Sequence, residues 1–325
     1  MIRKLEEDYN RLSLLVNVAR LYYEYDYNQG AIAKKLGFSR PYISKLIAQA
    51  REEGIVTISI NDPVHAETAL ERTLRQRFAL RKVIVVPQSV EQSTLSRVGV
   101  TCARYLDSIV SDSDIIGIAW GATMFACARH AIMRRNISDI TVVQLCGGIS
   151  NIERDIYADE IPKLFADALS GTAYHLPLPA IMDSAHVKQT VLAERTIKHV
   201  MEYAKRANIA IFSLGEIGAN NAHVHAGYLN DQQLSRLEAV GAVGDICSHF
   251  IDESGSICDE NLDERTIGLP LEDLKKKDYR IAVAVGQRKV RCICGALNGG
   301  YPNVLITDEE TAEAILKRLN ATGVF

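Results

Sequence analysis

The chain has 325 residues, 47% of them hydrophobic, and a formal net charge of −3. That much apolar material supports one large domain, or a small domain joined to a large one, and excludes disorder as the default. No stretch reaches the roughly 18 to 20 uninterrupted apolar residues of a membrane span, and the opening MIRKLEEDYN has no apolar run before a cleavage site, so the expectation is a soluble cytoplasmic protein with no membrane partner.

Leu12, Leu15, Val16, Ala19, Leu21 and Tyr22 recur at helical spacing and the run closes near Asp26, which predicts a first long helix. Asn28 is placed to cap a second helix with Ile32, Ala33 and Leu36 facing inward, ended by Gly37, a residue free to take positive φ in a tight turn. Ser39 caps a third helix, which tolerates Pro41 in its first turn and turns Ile43, Leu46, Ile47 and Ala50 inward until Gly54. A small Ala33 where two helices must approach, Gly37 at the turn and β-branched Ile43 beyond it meet the packing demand of a helix-turn-helix. An ordinary helical hairpin would accept a larger residue at position 33 and has no reason to exclude acids.

The local charge separates these alternatives. From Tyr27 to Arg51 the charged residues are Lys34, Lys35, Arg40, Lys45 and Arg51, with no Asp or Glu, although the whole chain is acidic. An acid-free segment suits a surface that faces phosphates, so double-stranded operator DNA is the expected partner. If the third helix enters the major groove, Arg40, Tyr42, Ser44, Lys45 and Gln49 are its outward positions; Arg40 suits a bidentate guanine contact and Lys45 a phosphate.

After Gly54 the run IVTISI reads as a strand and NDP interrupts it, which puts the domain boundary close to Asn61 to Pro63: residues 1–60 form the DNA-binding domain and 61–325 the second domain. Leu70, Leu74 and Phe78 begin a new helix before the apolar run VIVV. Beyond it IIGIAW, TVVQLC, IAIFSLG, RIAVAVG and NVLITD alternate with polar or glycine-rich residues and, in most cases, helices, which predicts an α/β domain with a largely parallel sheet covered on both faces. Trp120-Gly121-Ala122-Thr123, Cys146-Gly147-Gly148, Gly215-Glu216 and Gly286 stand where buried strands stop, and open α/β sheets bind ligands beyond those carboxyl ends. Glycines there let backbone N–H groups approach an anion, and Thr123 adds a hydroxyl at a helix start.

Seven cysteines, an odd number scattered through a chain that needs no staples, read as reduced thiols. Cys292 and Cys294 have CxC spacing in an apolar stretch and His223 and His225 flank a valine; neither pattern is that of a zinc site, so no metal is expected.

These residues carry a resemblance. LYYEYDYNQGAIAKKLGFSRPYISKL resembles the DNA-binding domain of SorC-family transcription regulators, and GIAWGATM, VVQLCGGIS, LPLPAIMD, AVGDICSHFID, ERTIGLPLEDL, RKVRCICGALNGG and NVLITD resemble the family's effector domain in the same order, from about Leu12 to Leu319. The resemblance implies a Rossmann-like, sugar-phosphate-isomerase-like effector domain, assembly as a homodimer or homotetramer, and DNA affinity set by a phosphorylated sugar such as deoxyribose 5-phosphate, with no cofactor. It assigns Gly121, Ala122 and Thr123 to the phosphate-cradling loop, Gly147 and Gly148 to the adjacent loop, and Asp183, Asp245 and Lys289 to the lining of the pocket. In the deoxyribonucleoside-regulator branch, to which the likeness is greatest, a lysine before the paired glycines forms an imine with the effector. Here that position is Cys146, and a thiol forms no imine, so binding without a covalent bond through this position is expected. The competing reading is a sugar-phosphate isomerase with an N-terminal assembly module, for which Glu216 would be the base; no second catalytic group accompanies it.

Overall fold

The computed structural model describes residues 2–56, 67–89, 92–134, 136–148 and 157–322, with side chains from residue 11 to residue 321 within those ranges. The chain divides into two compact units, Met1–Ala66 and Glu67–Phe325. The strand expected over 55–60 and the boundary expected at Asn61 to Pro63 fall mostly or wholly outside the described residues.

Among its described residues the first unit holds three helices, α1 (Ile2–Tyr23), α2 (Gln29–Leu36) and α3 (Arg40–Glu52). Asn28 accepts a hydrogen bond from the Ala31 N–H at 2.9 Å, which occupies one of the free donors at the start of α2. Gly37 ends α2 at φ 73°, in the left-handed region, and Ser39 then caps α3 by accepting from the Tyr42 N–H. Leu15, Val18, Ala19, Leu21, Ile32, Ala33, Ile43, Leu46, Ile47 and Ala50 form one buried cluster, so all three helices share a core. Leu12 and Val16 of α1 lie outside it and are exposed.

In the second unit α4 (Ala69–Arg77) leads to β1 (Lys82–Val86), α5 (Thr94–Ile109), β2 (Ile115–Ile118), α6 (Ala122–Arg129), β3 (Thr141–Gln144), α7 (Glu160–Ala168) and β4 (Thr172–Tyr174). Then follow α8 (Ala185–Ala193), α9 (Arg195–Arg206), β5 (Ile209–Phe212), β6 (Leu214–Glu216), α10 (Ala222–His225), α11 (Asp231–Ala239), β7 (Gly244–Ile246) and β8 (His249–Ile251). The unit closes with α12 (Glu260–Asp263), α13 (Leu271–Leu274), β9 (Tyr279–Val283), α14 (Val290–Asn298), β10 (Val304–Asp308) and α15 (Glu309–Thr322). Seven strands form a parallel sheet in the order β1-β10-β9-β5-β2-β3-β4. Every residue of β5 and β10 is buried, as expected of strands with helices on both faces.

From β2 the chain winds outward through β3 to β4, then crosses to β5 on the other side of β2. The strand order therefore reverses between β2 and β5, and a crevice opens beyond their carboxyl ends. At one edge of the sheet the buried Glu71 accepts from the Val85 N–H of β1 at 2.8 Å, and its other oxygen accepts from the Thr68 N–H at 2.8 Å. An edge-strand donor is thus satisfied from within the fold, which limits pairing with a foreign strand.

The run IAIFSLG, which reads as one strand, breaks at Ser213. Its first part is central in the large sheet, and its second part, β6, starts a separate antiparallel sheet, β6-β7-β8. Between β7 and β8 the chain reverses in two residues, Cys247 at φ 50° and Ser248 at φ 73°. Such a turn favours Asn or Gly; its occupation by Cys and Ser hid the hairpin from pattern reading.

Candidate functional site

In the first unit Arg40, Ser44 and Lys45 are exposed on α3, opposite the buried face of Ile43, Leu46, Ile47 and Ala50. Tyr42 is also exposed and its ring lies 5.2 Å from that of Phe38. Gln49 differs from the others: it is half-buried and its amide donates to Glu53 Oε1 at 2.7 Å. The outward face of α3 is therefore basic and polar at its N-terminal end, and its reach for a partner narrows toward Gln49.

In the second unit a cavity of about 600 Å³ occupies the crevice at the switch point. Its walls come from the ends of four strands: Ala119 to Thr123 after β2, Cys146 after β3, Ser213 to Glu216 after β5, and Val285 to Lys289 after β9. Gly121 precedes α6 at φ 116° with nothing within 4 Å of the place a Cβ would take, so the backbone is open to the cavity there. The first N–H groups of α6 have no partner inside the helix and carry the positive end of its dipole. Lys289 reaches the same space. Its ammonium makes one long hydrogen bond among the described residues, to Ser213 Oγ at 3.4 Å, and desolvation pushes its pKa below the usual lysine value despite nearby Cys292, Asp245 and Glu216.

The lower wall is a polar network. Asp245 on β7 accepts from the Ser248 N–H at 3.1 Å and from Asn221 Nδ2 at 3.3 Å. His223 on α10 lies between the rings of Trp120 and Phe250, and its pKa is lowered chiefly by burial, with Asp245 opposing. Cys146 is almost fully buried in the wall, and a hydrogen bond with Cys247 together with burial holds its thiol well above the ordinary cysteine pKa. A thiol in that state is a weak nucleophile.

Of the residues assigned to the pocket by resemblance, Gly121, Ala122, Thr123, Cys146, Asp245 and Lys289 come together around the cavity, and Gly147, Gly148 and Asp183 do not line it. Gly147 is a packing position: a Cβ there would stand 2.3 Å from the Pro179 carbonyl oxygen. Its own carbonyl accepts from Trp120 Nε1 at 2.7 Å, so it braces the wall from behind. Gly148 pairs with Pro179 through a bridge, and Asp183 is exposed just ahead of Ser184, the cap of α8. Sequence reading missed Ser213, Asn221 and Ser248, and weighed His223 only as a metal ligand. The signal for Asn221 and His223 was the run NNAH two residues after Gly218; single serines carry no comparable mark. Among the described residues no group of three His, Cys, Asp or Glu is placed to hold a metal ion, and none of the helices is long and apolar enough to cross a membrane.

A helix-turn-helix unit and a parallel α/β unit with a ligand crevice at its switch point define a ligand-responsive transcription regulator. The family model described as "Putative sugar-binding domain" matches residues 62–317. The deoxyribonucleoside regulator of Bacillus subtilis (strain 168) is 40% identical over 317 residues, covering 96% of this chain and 100% of that protein. The sorbitol operon regulator of Klebsiella pneumoniae is 32% identical over 315 residues, with 96% and 100% covered. The crystal structure of full-length SorC, the sorbitol operon regulator from Klebsiella pneumoniae, superposes with a TM-score of 0.73 at 31% identity, covering 94% of this chain and 98% of that one. The chain belongs to the SorC family of transcriptional regulators. These relatives are regulators and not enzymes, so the isomerase reading built on Glu216 is set aside; that carboxylate lies 3.9 Å from Arg288 at the cavity mouth.

Proposed function

We propose that this regulator binds an operator of a sugar or nucleoside catabolic operon through α3, with Arg40, Tyr42, Ser44 and Lys45 at the DNA and Gln49 at the limit of contact, and that a phosphorylated sugar held noncovalently in the cavity controls that binding. The observation that carries the effector half is the convergence in one crevice of Lys289, whose ammonium makes one long hydrogen bond among the described residues, with the open N–H groups at the start of α6. A phosphate dianion satisfies both, and Thr123, buried in the first turn of α6, supplies a hydroxyl. Asp245 accepts from sugar hydroxyls. The name of the Bacillus subtilis relative makes deoxyribose 5-phosphate one probe among several sugar phosphates. A homodimer or homotetramer that presents two α3 helices to an imperfect palindrome fits the small number of base pairs one helix reads. A regulator that meets chromosomal DNA works in the cytoplasm.

A thermal-shift screen across phosphorylated sugars tests this, since a ligand that binds only the folded chain raises its melting temperature by mass action. Trp120, the one tryptophan of the chain, lines the cavity and reports occupancy by fluorescence. Thr123→Val keeps the side-chain shape and removes a donor, so it weakens the best ligand by about 0.5 to 1.5 kcal/mol. Borohydride is expected to trap no adduct. Equal affinities for mutant and wild type would remove Thr123 from the site, and a trapped imine would refute noncovalent binding.

A further inference from the structure

Four side chains at the floor of the cavity are buried: Asn221, His223, Asp245 and Ser248 expose 2%, 1%, 7% and 1% of their surface. Their hydrogen bonds can be assigned proton by proton. Two backbone groups orient the Asn221 amide, because its Oδ1 accepts from the His223 N–H at 2.8 Å and its Nδ2 donates to the Glu216 carbonyl at 2.7 Å. The second Nδ2 proton goes to Asp245 Oδ1, so both amide donors are used. Since Asn221 Oδ1 only accepts, His223 Nδ1, 2.9 Å from it, carries the ring proton. Nε2 of that neutral ring accepts, and the Ser248 hydroxyl 2.9 Å away donates to it. The Ser248 N–H goes to Asp245 Oδ2. Every polar proton of these four side chains is committed inside the floor, and the capacity left open is acceptor capacity: free lone pairs on the Asp245 carboxylate and on Ser248 Oγ.

We infer that this floor selects the end of the effector remote from its phosphate by requiring hydrogen-bond donors there. The pocket takes sugar monophosphates whose far end carries free hydroxyls and rejects ligands with a second phosphate or a carboxylate at that end, and Asp245 is the specificity-determining residue. The inference rests on the phosphate reading proposed above. A second anion at the floor would set its own lone pairs against a carboxylate, and the four floor side chains have no donor left to turn toward it. Charge acts in the same sense: the lining carries Glu216 and Asp245 against Arg288 and Lys289, so one phosphate already leaves the cavity negative. The other donors of the lining stand outside this floor: Lys289, Ser213 and Thr123 belong to the proposed phosphate cradle, and Asn220 and Arg288 are exposed.

The test uses the full chain and two matched pairs of probes that share a phosphate and differ at the other end: fructose 6-phosphate against fructose 1,6-bisphosphate, and glucose 6-phosphate against 6-phosphogluconate. Inorganic phosphate serves as the reference for the cradle alone. Calorimetry is expected to give inorganic phosphate weak binding, each hydroxyl-ended monophosphate tighter binding, and at least a tenfold preference for it over its doubly anionic partner. Asp245→Asn places an amide where the carboxylate stood; it is expected to shrink both ratios to threefold or less while affinity for inorganic phosphate holds. A doubly anionic ligand that binds as tightly as its partner overturns the inference, as does a ratio unchanged in Asp245→Asn. If inorganic phosphate binds but no monophosphate binds more tightly, the floor does not read hydroxyls and this inference alone fails. If neither phosphate nor any of the sugar phosphates binds, the phosphate reading falls and takes the inference with it. The wild-type ratios decide the matter even where the variant does not fold.

Discussion

Gly147→Ala is expected to destabilise the effector unit by about 3 kcal/mol without touching the cavity lining. The added Cβ would meet the Pro179 carbonyl oxygen at 2.3 Å, its carbon at 2.7 Å and the Leu178 oxygen at 2.8 Å, all backbone atoms, so one segment must retreat by about an ångström. Retreat is opposed on both sides. Gly148 N–H donates to the Leu178 carbonyl at 2.9 Å, Ala180 N–H donates to the Gly148 carbonyl at 2.8 Å, and Gly147 N–H donates to the Ile267 carbonyl at 2.9 Å. Losing two such bonds costs about 1 kcal/mol each, and the overpacking adds at least about 1 kcal/mol. In a unit of this size that corresponds to a fall of roughly 6 to 12 °C in melting temperature. Gly148→Ala is the control, because its nearest contacts are side-chain atoms, Ala158 Cβ at 3.3 Å and Gln144 Nε2 at 3.9 Å, and its cost should stay below about 1 kcal/mol. Ligand-free thermal denaturation of both variants, followed by Trp120 emission, measures the contrast. Were Gly147→Ala to melt with wild type while losing sugar-phosphate binding, Gly147 would be a ligand-facing glycine and the packing argument would be refuted.

Arg40→Ala should abolish specific operator binding with the fold intact, since the residue is exposed at the start of α3; a lost bidentate base contact costs about 1 to 3 kcal/mol. Electrophoretic mobility shifts with base-substituted operators check it: unchanged affinity and base preference would remove α3 from recognition, and a loss without change of preference would make Arg40 a phosphate contact. Lys289→Met should weaken the best sugar phosphate at least tenfold, in line with the roughly 1.5 to 3 kcal/mol of a charge-assisted hydrogen bond, yet leave the ligand-free protein no less stable. The sign follows from linkage: the folded pKa of Lys289 is lowered, the unfolded chain binds more protons between that value and about 10.4, and at neutral pH the charged form counts against folding. A variant that melts below wild type without ligand would contradict this account.

The parts of the fold that were legible in the sequence are those in which a residue's local chemistry and its place in the fold agree. Asn28, Gly37 and Ser39 act as caps within a few residues of their own positions, and the small sheet-end glycine Gly121 meets a demand of its own backbone. Runs such as VLITD have no polar alternation because both faces of the sheet are covered. The floor of the site is of another kind. Asp245, Ser248, Asn221 and His223 lie on a hairpin and a short helix more than twenty residues apart, joined by contacts that no local pattern records. The turn that aims Ser248 uses two residues that rarely adopt its conformation.

Resemblance assigned residues to a pocket without separating those that line the cavity from those that brace it. Gly147 and Gly121 look alike as glycines at strand ends, yet one lacks a Cβ because a backbone passes behind it and the other because its φ is 116° beside open space. On the proposed reading the cation that meets the effector's phosphate is Lys289, just after β9, whose ammonium makes one long hydrogen bond among the described residues, to Ser213 Oγ. Desolvation already disfavours the charged form of this half-buried ammonium, and an anion that pairs with it on binding would offset that cost. On the proposed reading the crevice is coupled to its ligand through this one ammonium, and the hydrogen-bonded floor would then sort among the anions able to reach it.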